Sequence, residues 1–337
     1  MIQRVAAIDC GTNSIRMLIA EVDPERTRGA TLPPGEAWQA GGTGGRPPGL
    51  TQVVRELRIV RLGEGVDRTG RLSEAALDRT TAALREYAGL IGRFSPAAVR
   101  MVATSATRDA ENSQEFVDRV KEVLGVAPEV VTGDEEAWLS FTGATREIAG
   151  TPLARADCCP PPYLVTDIGG GSTEFVLGGP EGASGARSVD IGCVRMTERH
   201  LHGDPPSAAE VAAATADIDS ALALVADALP VAQAKTLVGL AGSVTTIAGI
   251  ALGLASYDPS RIHHSRIPAA AVHAITGQLL GQTHAERAAI GVMHPGRVDV
   301  IGGGALVLDR ILTRFGFAEV LVSEHDILDG IAWSLVR

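Results

Sequence analysis

The hexapeptide Asp-Cys-Gly-Thr-Asn-Ser at residues 9–14 returns as Asp-Ile-Gly-Gly-Gly-Ser at 167–172, so the chain spells D-x-G-x-x-S twice. Each copy interrupts an apolar run, with "RVAAI" and "LVT" before the aspartates and "IRMLIAEV" and "TEFVLGG" at or after the serines. Glycine inside a strand is costly, because its backbone loses the most freedom on ordering. The simplest reading is two strand–turn–strand units. Their recurrence predicts duplicated α/β domains that face each other across a cleft. The length of 337 residues agrees, being more than one hydrophobic core usually spans. We expect a first domain of residues 1–134 plus 322–337 and a second of residues 135–321.

The remaining chain fills in around these units. Residues 24–51 hold 12 Gly or Pro in 28 positions, a composition that builds no core and predicts a flexible surface insertion. After "VVRELRIVRLGEGV", a strand pattern, Ser73 opens a helix whose apolar positions Leu77, Leu84, Tyr87 and Ile91 keep helical spacing. "AAVRMVATSA" reads as a buried strand. A helix over about 113–124 follows, with Asn112 and Glu115 at capping-box spacing and Gly125 as its stop. Ser207 and Glu210 open a long helix in the same manner. "TLVGLAGSVTTIAGIALG" is a strand, a glycine turn and a helix, "RVDVIGGGALVLDRIL" opens another helix, and "EVLVSEHDILDGIAWSLV" is a last strand and helix.

A tight Gly-rich hairpin presents backbone N–H groups with no side chain in the way, a concavity suited to anionic oxygens. Thr12, Asn13 and Ser14 can serve one phosphate group, and Gly169, Gly170, Gly171, Ser172 and Thr173 another. The leading aspartates cannot bind phosphate themselves, since like charges repel. They can hold Mg²⁺, which takes one or two carboxylates plus waters and substrate oxygens, so Asp9 and Asp167 are the candidate metal carboxylates. No G-x-x-x-x-G-K-[ST] occurs, and no G-x-G-x-x-G follows the first strand, which excludes a Walker A loop and disfavours a dinucleotide site.

Composition narrows the partners. A net charge of −10 argues against general nucleic-acid binding, and Trp38, Trp138 and Trp333 are too scattered for a base-stacking platform. No apolar stretch reaches the ~18 residues of a membrane span. The opening "MIQRVAAIDCGTNSIRMLIAEV" superficially resembles a signal peptide, but Asp9, Asn13 and Arg16 break its apolar run, and we read it as core strand. Cys10, Cys158, Cys159 and Cys193 form no CxxC, and a reducing cytoplasm is the expected setting, with Cys158 and Cys159 as reduced loop thiols. His263 and His264, adjacent and pointing to different faces, fit a loop or cleft role better than a metal site.

Paired phosphate hairpins on duplicated domains mark the actin/hexokinase/Hsp70 type of fold: α/β, two actin-like, ribonuclease H-like domains flanking a cleft. Eight blocks in register sharpen the match, among them "AAIDCGTNSIRMLIAEV", "VATSATRDAENSQEF", "VVTGDEEAWLSF", "VTDIGGGSTEF", "GLAGSVTTIAG" and "VSEHDILDGI". Together they resemble the exopolyphosphatase/guanosine pentaphosphate phosphohydrolase family, in its short two-domain form, over the whole chain except the insertion. The resemblance implies Mg²⁺-dependent removal of the terminal phosphate from inorganic polyphosphate. Alternatives are hydrolysis of pppGpp, or a non-catalytic polyphosphate or nucleotide module. It implies a homodimer; cytoplasmic action, with no nucleic-acid or membrane partner, is the expectation from the composition above. In the family's G-x-E-E-A block a glutamate is the catalytic base, and its second glutamate falls on Glu136, beside Glu135. The residues themselves also admit a plain acidic first helical turn. Arg108 in "SATRDAEN" is the candidate cation for phosphate or the transition state, through its planar donor fork. Arg195 and Arg266 are secondary candidates for the polyanion path. Gly242 and Ser243, with Thr245, fall where ATPases of this fold bind adenosine and are expected to line the substrate cleft.

Overall fold

The computed structural model describes residues 2–23, 49–148 and 159–336. Most of the 24–51 insertion and Cys158 lie outside the described residues. The insertion is shorter than expected at its far end, because Leu50 and Thr51 already pair in a strand.

The first sheet contains β1 (Gln3–Cys10), β2 (Ser14–Val22), β3 (Leu50–Ile59), β4 (Ala98–Ala103) and β5 (Glu129–Val130), in the order β3-β2-β1-β4-β5. The second contains β6 (Tyr163–Ile168), β7 (Thr173–Gly179), β8 (Gly182–Val189), β9 (Thr236–Leu240), β10 (Arg266–Pro268) and β11 (Glu319–Val322), in the order β10-β11-β9-β6-β7-β8. Without its edge strand β10, the second sheet repeats the first strand for strand. Each has an antiparallel three-stranded meander followed by parallel strands on the other side of its founding strand. The duplication spelled by two hexapeptides is therefore a duplication of topology.

Side-chain alternation along β1 divides the first sheet's core between its two faces. Ala6 and Ile8, with Ile15 and Met17, pack against Leu77, Leu84 and Tyr87 of the helix Glu74–Phe94. Val5 and Ala7, with Leu18 and Ala20, pack against Leu328 and Ile331 of the helix Ile327–Ser334. All six residues of β6 are buried, as expected of a strand covered on both faces.

The capping predictions split. Ser207 and Glu210 form a reciprocal capping box at the helix Ala208–Ala228. Asn112 does not cap the helix Ser113–Leu124; its carboxamide is drawn across to Leu72, accepting from the backbone N–H at 2.8 Å and donating to the carbonyl at 3.1 Å. A tertiary contact has replaced a local one.

Two helices join the halves. A Cβ on Gly143, in the helix Gly133–Ile148, would lie 1.8 Å from the Asp326 carbonyl oxygen, and one on Gly330 would lie 2.0 Å from that of Leu139. Only glycine at both positions lets these backbones touch. Among the described residues, no helix is long and apolar enough to cross a membrane.

Candidate active site

Both hairpins close with the same bond: the Gly11 N–H donates to the Ser14 carbonyl at 2.9 Å, and Gly169 to Ser172 at 3.1 Å. Register places Arg16 opposite Asp9, and Glu174 opposite Asp167. The hairpins meet tip to tip. A Cβ on Gly170 would sit 2.8 Å from Thr12 Cβ, and one on Gly171 would sit 2.7 Å from Ser105 Oγ and 2.9 Å from Thr12 Oγ1. Those glycines are needed first to admit the opposite hairpin.

The turns enclose a cavity of about 90 Å³. From the first half it is lined by Asp9, Thr12, Asn13 and Ser14, and from the second by Glu136, Asp167, Gly169, Gly170 and Ser172. Gly242 and Ser243 complete it from the turn after β9. There Ala241 adopts φ 68°, a left-handed conformation costly for a residue with a Cβ. A Cβ on Gly242 would strike the Arg297 guanidinium carbon at 2.4 Å, so this glycine seats Arg297 flat against the turn. A second cavity of about 390 Å³ shares Arg16, Leu57, Gly242 and Arg297 with the first and includes Thr245 in its wall.

The charges are concentrated and buried. Arg16 donates to Asp9 Oδ2 from Nε at 3.0 Å and Nη2 at 2.6 Å, and its Nη1 reaches Asp326. Ser140 Oγ donates to Asp167 Oδ2 at 2.6 Å, and Ser188 Oγ to Glu174 Oε1 at 2.8 Å. Arg108 touches Glu136 Oε2 at 3.3 Å and the Val131 carbonyl at 3.1 Å. Desolvation raises Asp9, Asp167, Glu174 and Glu136 above ordinary carboxylates, and mutual repulsion adds to it. Asp167 is pushed up to about 6 by burial and then Asp326. Glu174 reaches about 8 through burial and Asp167. Glu136 is pushed well above the usual range by burial and Glu174, with Arg108 opposing.

Three expected residues stand off the cavity wall. Thr173 turns into the sheet and donates to the Ile191 carbonyl at 2.9 Å, Gly171 backs onto Ser105, and Arg108 lies behind Glu136. Arg195 binds Asp67 at 2.8 Å and Asp109 at 2.5 Å, tying the second half to the first. Arg266 pairs with Glu319 beside edge strand β10. His263 and His264 do not point to different faces as expected: their rings stack with centroids 3.7 Å apart, and His325 extends the stack from His263 at 4.9 Å. Sequence reasoning missed Arg16, Glu174, Ser140 and Arg297. The first two were legible in principle, since each stands seven positions after its aspartate.

Among the described residues, no three His, Cys, Asp or Glu side chains converge as a metal cage. Buried carboxylates that repel one another instead suit Mg²⁺, which retains waters and substrate oxygens and needs few protein ligands. Asp9 and Asp167 on the cavity wall fit that role.

Duplicated α/β domains with paired phosphate turns and an acidic cleft define a protein of the two-domain actin-like fold that handles phosphoryl groups. The Ppx/GppA phosphatase family model matches residues 41–337. Exopolyphosphatase 2 of Mycobacterium tuberculosis is 47% identical, over 98% of this chain and 98% of its own. A crystal structure of an exopolyphosphatase-like protein superposes with TM-score 0.87 at 41% identity, covering 100% of this chain and 98% of the other. The Aquifex aeolicus PPX-GPPA enzyme follows with TM-score 0.74 at 29% identity, covering 99% and 100%. The chain belongs to the Ppx/GppA phosphatase family.

Proposed function

We propose that this protein is an exopolyphosphatase that releases orthophosphate from the end of inorganic polyphosphate, using a divalent cation, Mg²⁺ in the cell. The observation that carries the reading is the placement of Glu136. It is buried on the wall of the small cavity between the two hairpins, at the start of a helix whose dipole favours its ionised form. The backbone and hydroxyls of residues 12–14 and of Gly169, Gly170 and Ser172 hold the terminal phosphate, with Ser243 as a further donor. Asp9 and Asp167 would hold the cation, which when bound would supply neutralisation of phosphate oxygen charge. Glu136 takes a proton from water as the water oxygen bonds to the terminal phosphorus, and the bond from that phosphorus to the bridging oxygen breaks. A carboxylate whose proton affinity is raised by burial is a stronger base once ionised. Arg108 supports that ionised form from behind. The rest of the polyanion continues past Arg16 and Arg297 into the larger cavity. Residues 1–134 with 322–337 and residues 135–321 act as the two domains of the cleft.

Phosphate release from polyphosphate, pppGpp and ATP, measured by molybdate dye with Mg²⁺, tests the proposal. The expected order places polyphosphate first in kcat/KM. A higher value for pppGpp would overturn the substrate, and tight polyphosphate binding without turnover would overturn catalysis.

A further inference from the structure

The helix Gly133–Ile148 carries hydroxyls at Ser140, Thr142 and Thr145. Thr142 donates to the Trp138 carbonyl at 2.8 Å and Thr145 to that of Phe141 at 2.7 Å. Both make the ordinary bond of a helical hydroxyl, four residues back. Ser140 departs from this habit. It is 1% exposed, and its proton goes to Asp167 Oδ2 rather than to the Glu136 carbonyl. Ser140 also lies one turn after Glu136, so a single helix carries the base and the tether of Asp167 in its own half.

The other aspartate shows the same arrangement by other means. Arg16 grips Asp9 through Oδ2, as Ser140 grips Asp167 through Oδ2. The difference is charge: a guanidinium cancels an aspartate's charge, whereas a hydroxyl orients it and leaves the charge intact for a cation.

We propose that Ser140 is a positioning residue for the divalent cation: it locks the Asp167 carboxylate and fixes its spacing from Glu136. The inference rests on the reading that Asp167 holds that cation. Ser140→Ala preserves the helix, since alanine is its best former, and a melting curve verifies folding. Mn²⁺ titration into the full chain without substrate is the readout. We expect Ser140→Ala to bind Mn²⁺ about tenfold more weakly, as loss of an outer-sphere partner commonly does. The Mg²⁺ needed for half-maximal phosphate release rises in step, while kcat at saturating Mg²⁺ changes less. Ser140→Thr, which keeps the donor, restores binding. Unchanged Mn²⁺ affinity in Ser140→Ala, with Asp167→Asn weakened, overturns the role of Ser140 alone, even if the melting temperature has moved. Unchanged affinity in Asp167→Asn overturns the cation reading beneath it.

Discussion

The hairpins β1–β2 and β6–β7 share strand order, closing bond and register, yet differ at two places that matter. At the tip, Thr12 and Asn13 stand where the second hairpin has Gly170 and Gly171, and Thr12 fills the space those glycines leave. Opposite the aspartate, the first hairpin has Arg16 and the second has Glu174. Duplication thus supplied the frame and divergence made it asymmetric. One aspartate is neutralised by a guanidinium, while the other sits among carboxylates whose mutual repulsion raises their proton affinity.

This asymmetry can be broken in steps. Exchanging the acidic partner comes first. Asp167→Asn should lower phosphate release by about a hundredfold or more, on the scale seen when one preorganised electrostatic contact is lost, and should raise the Mg²⁺ requirement. Asp9→Asn, still facing Arg16, should lose less. Equal losses in both variants would erase the distinction. Arg16→Ala strands Asp9 and Asp326 in a buried corner, and urea unfolding should report a loss of about 3 kcal/mol.

Steric complementarity at the tips is a smaller effect. Gly170→Ala should cost about 1–3 kcal/mol through overpacking against Thr12. Pairing it with Thr12→Gly should recover part of that cost, because the two residues share one space; strict additivity would show that they do not.

Acidity probes the same asymmetry through Glu174. Burial and Asp167 push Glu174 up to about 8 in the fold, against an ordinary value of 4.5, so the folded state binds the extra proton. Its stabilising contribution is complete below 4.5 and is lost as pH rises towards 8. Without added cation, the wild-type chain should therefore lose stability across that window, and Glu174→Gln should flatten the profile. A variant profile parallel to wild type would refute the assignment.

What could be read from the sequence was chemistry tied to a local pattern. The D-x-G-x-x-S repeat announced two turns, and the structure brings both to one cavity with Glu136, named by the G-x-E-E-A block. Strand order beyond each hairpin was not legible in the repeat and comes from the structure. Partners fixed by register or by a distant element did not emerge: Ser140 meets Asp167 across 27 positions, and Arg16 meets Asp326 across 310. Asn112 failed as a cap for the same reason, since Leu72 from elsewhere in the chain outcompeted its own helix. The triple glycine answers to more than phosphate, because Thr12 and Ser105 leave no room for side chains at Gly170 and Gly171.

The most direct test of the account is the rate of orthophosphate release from polyphosphate by Glu136→Gln, measured in saturating Mg²⁺ beside wild type. Loss of a general base predicts a kcat lower by about 10²–10⁴ with polyphosphate binding retained. A variant that releases phosphate at the wild-type rate would contradict it.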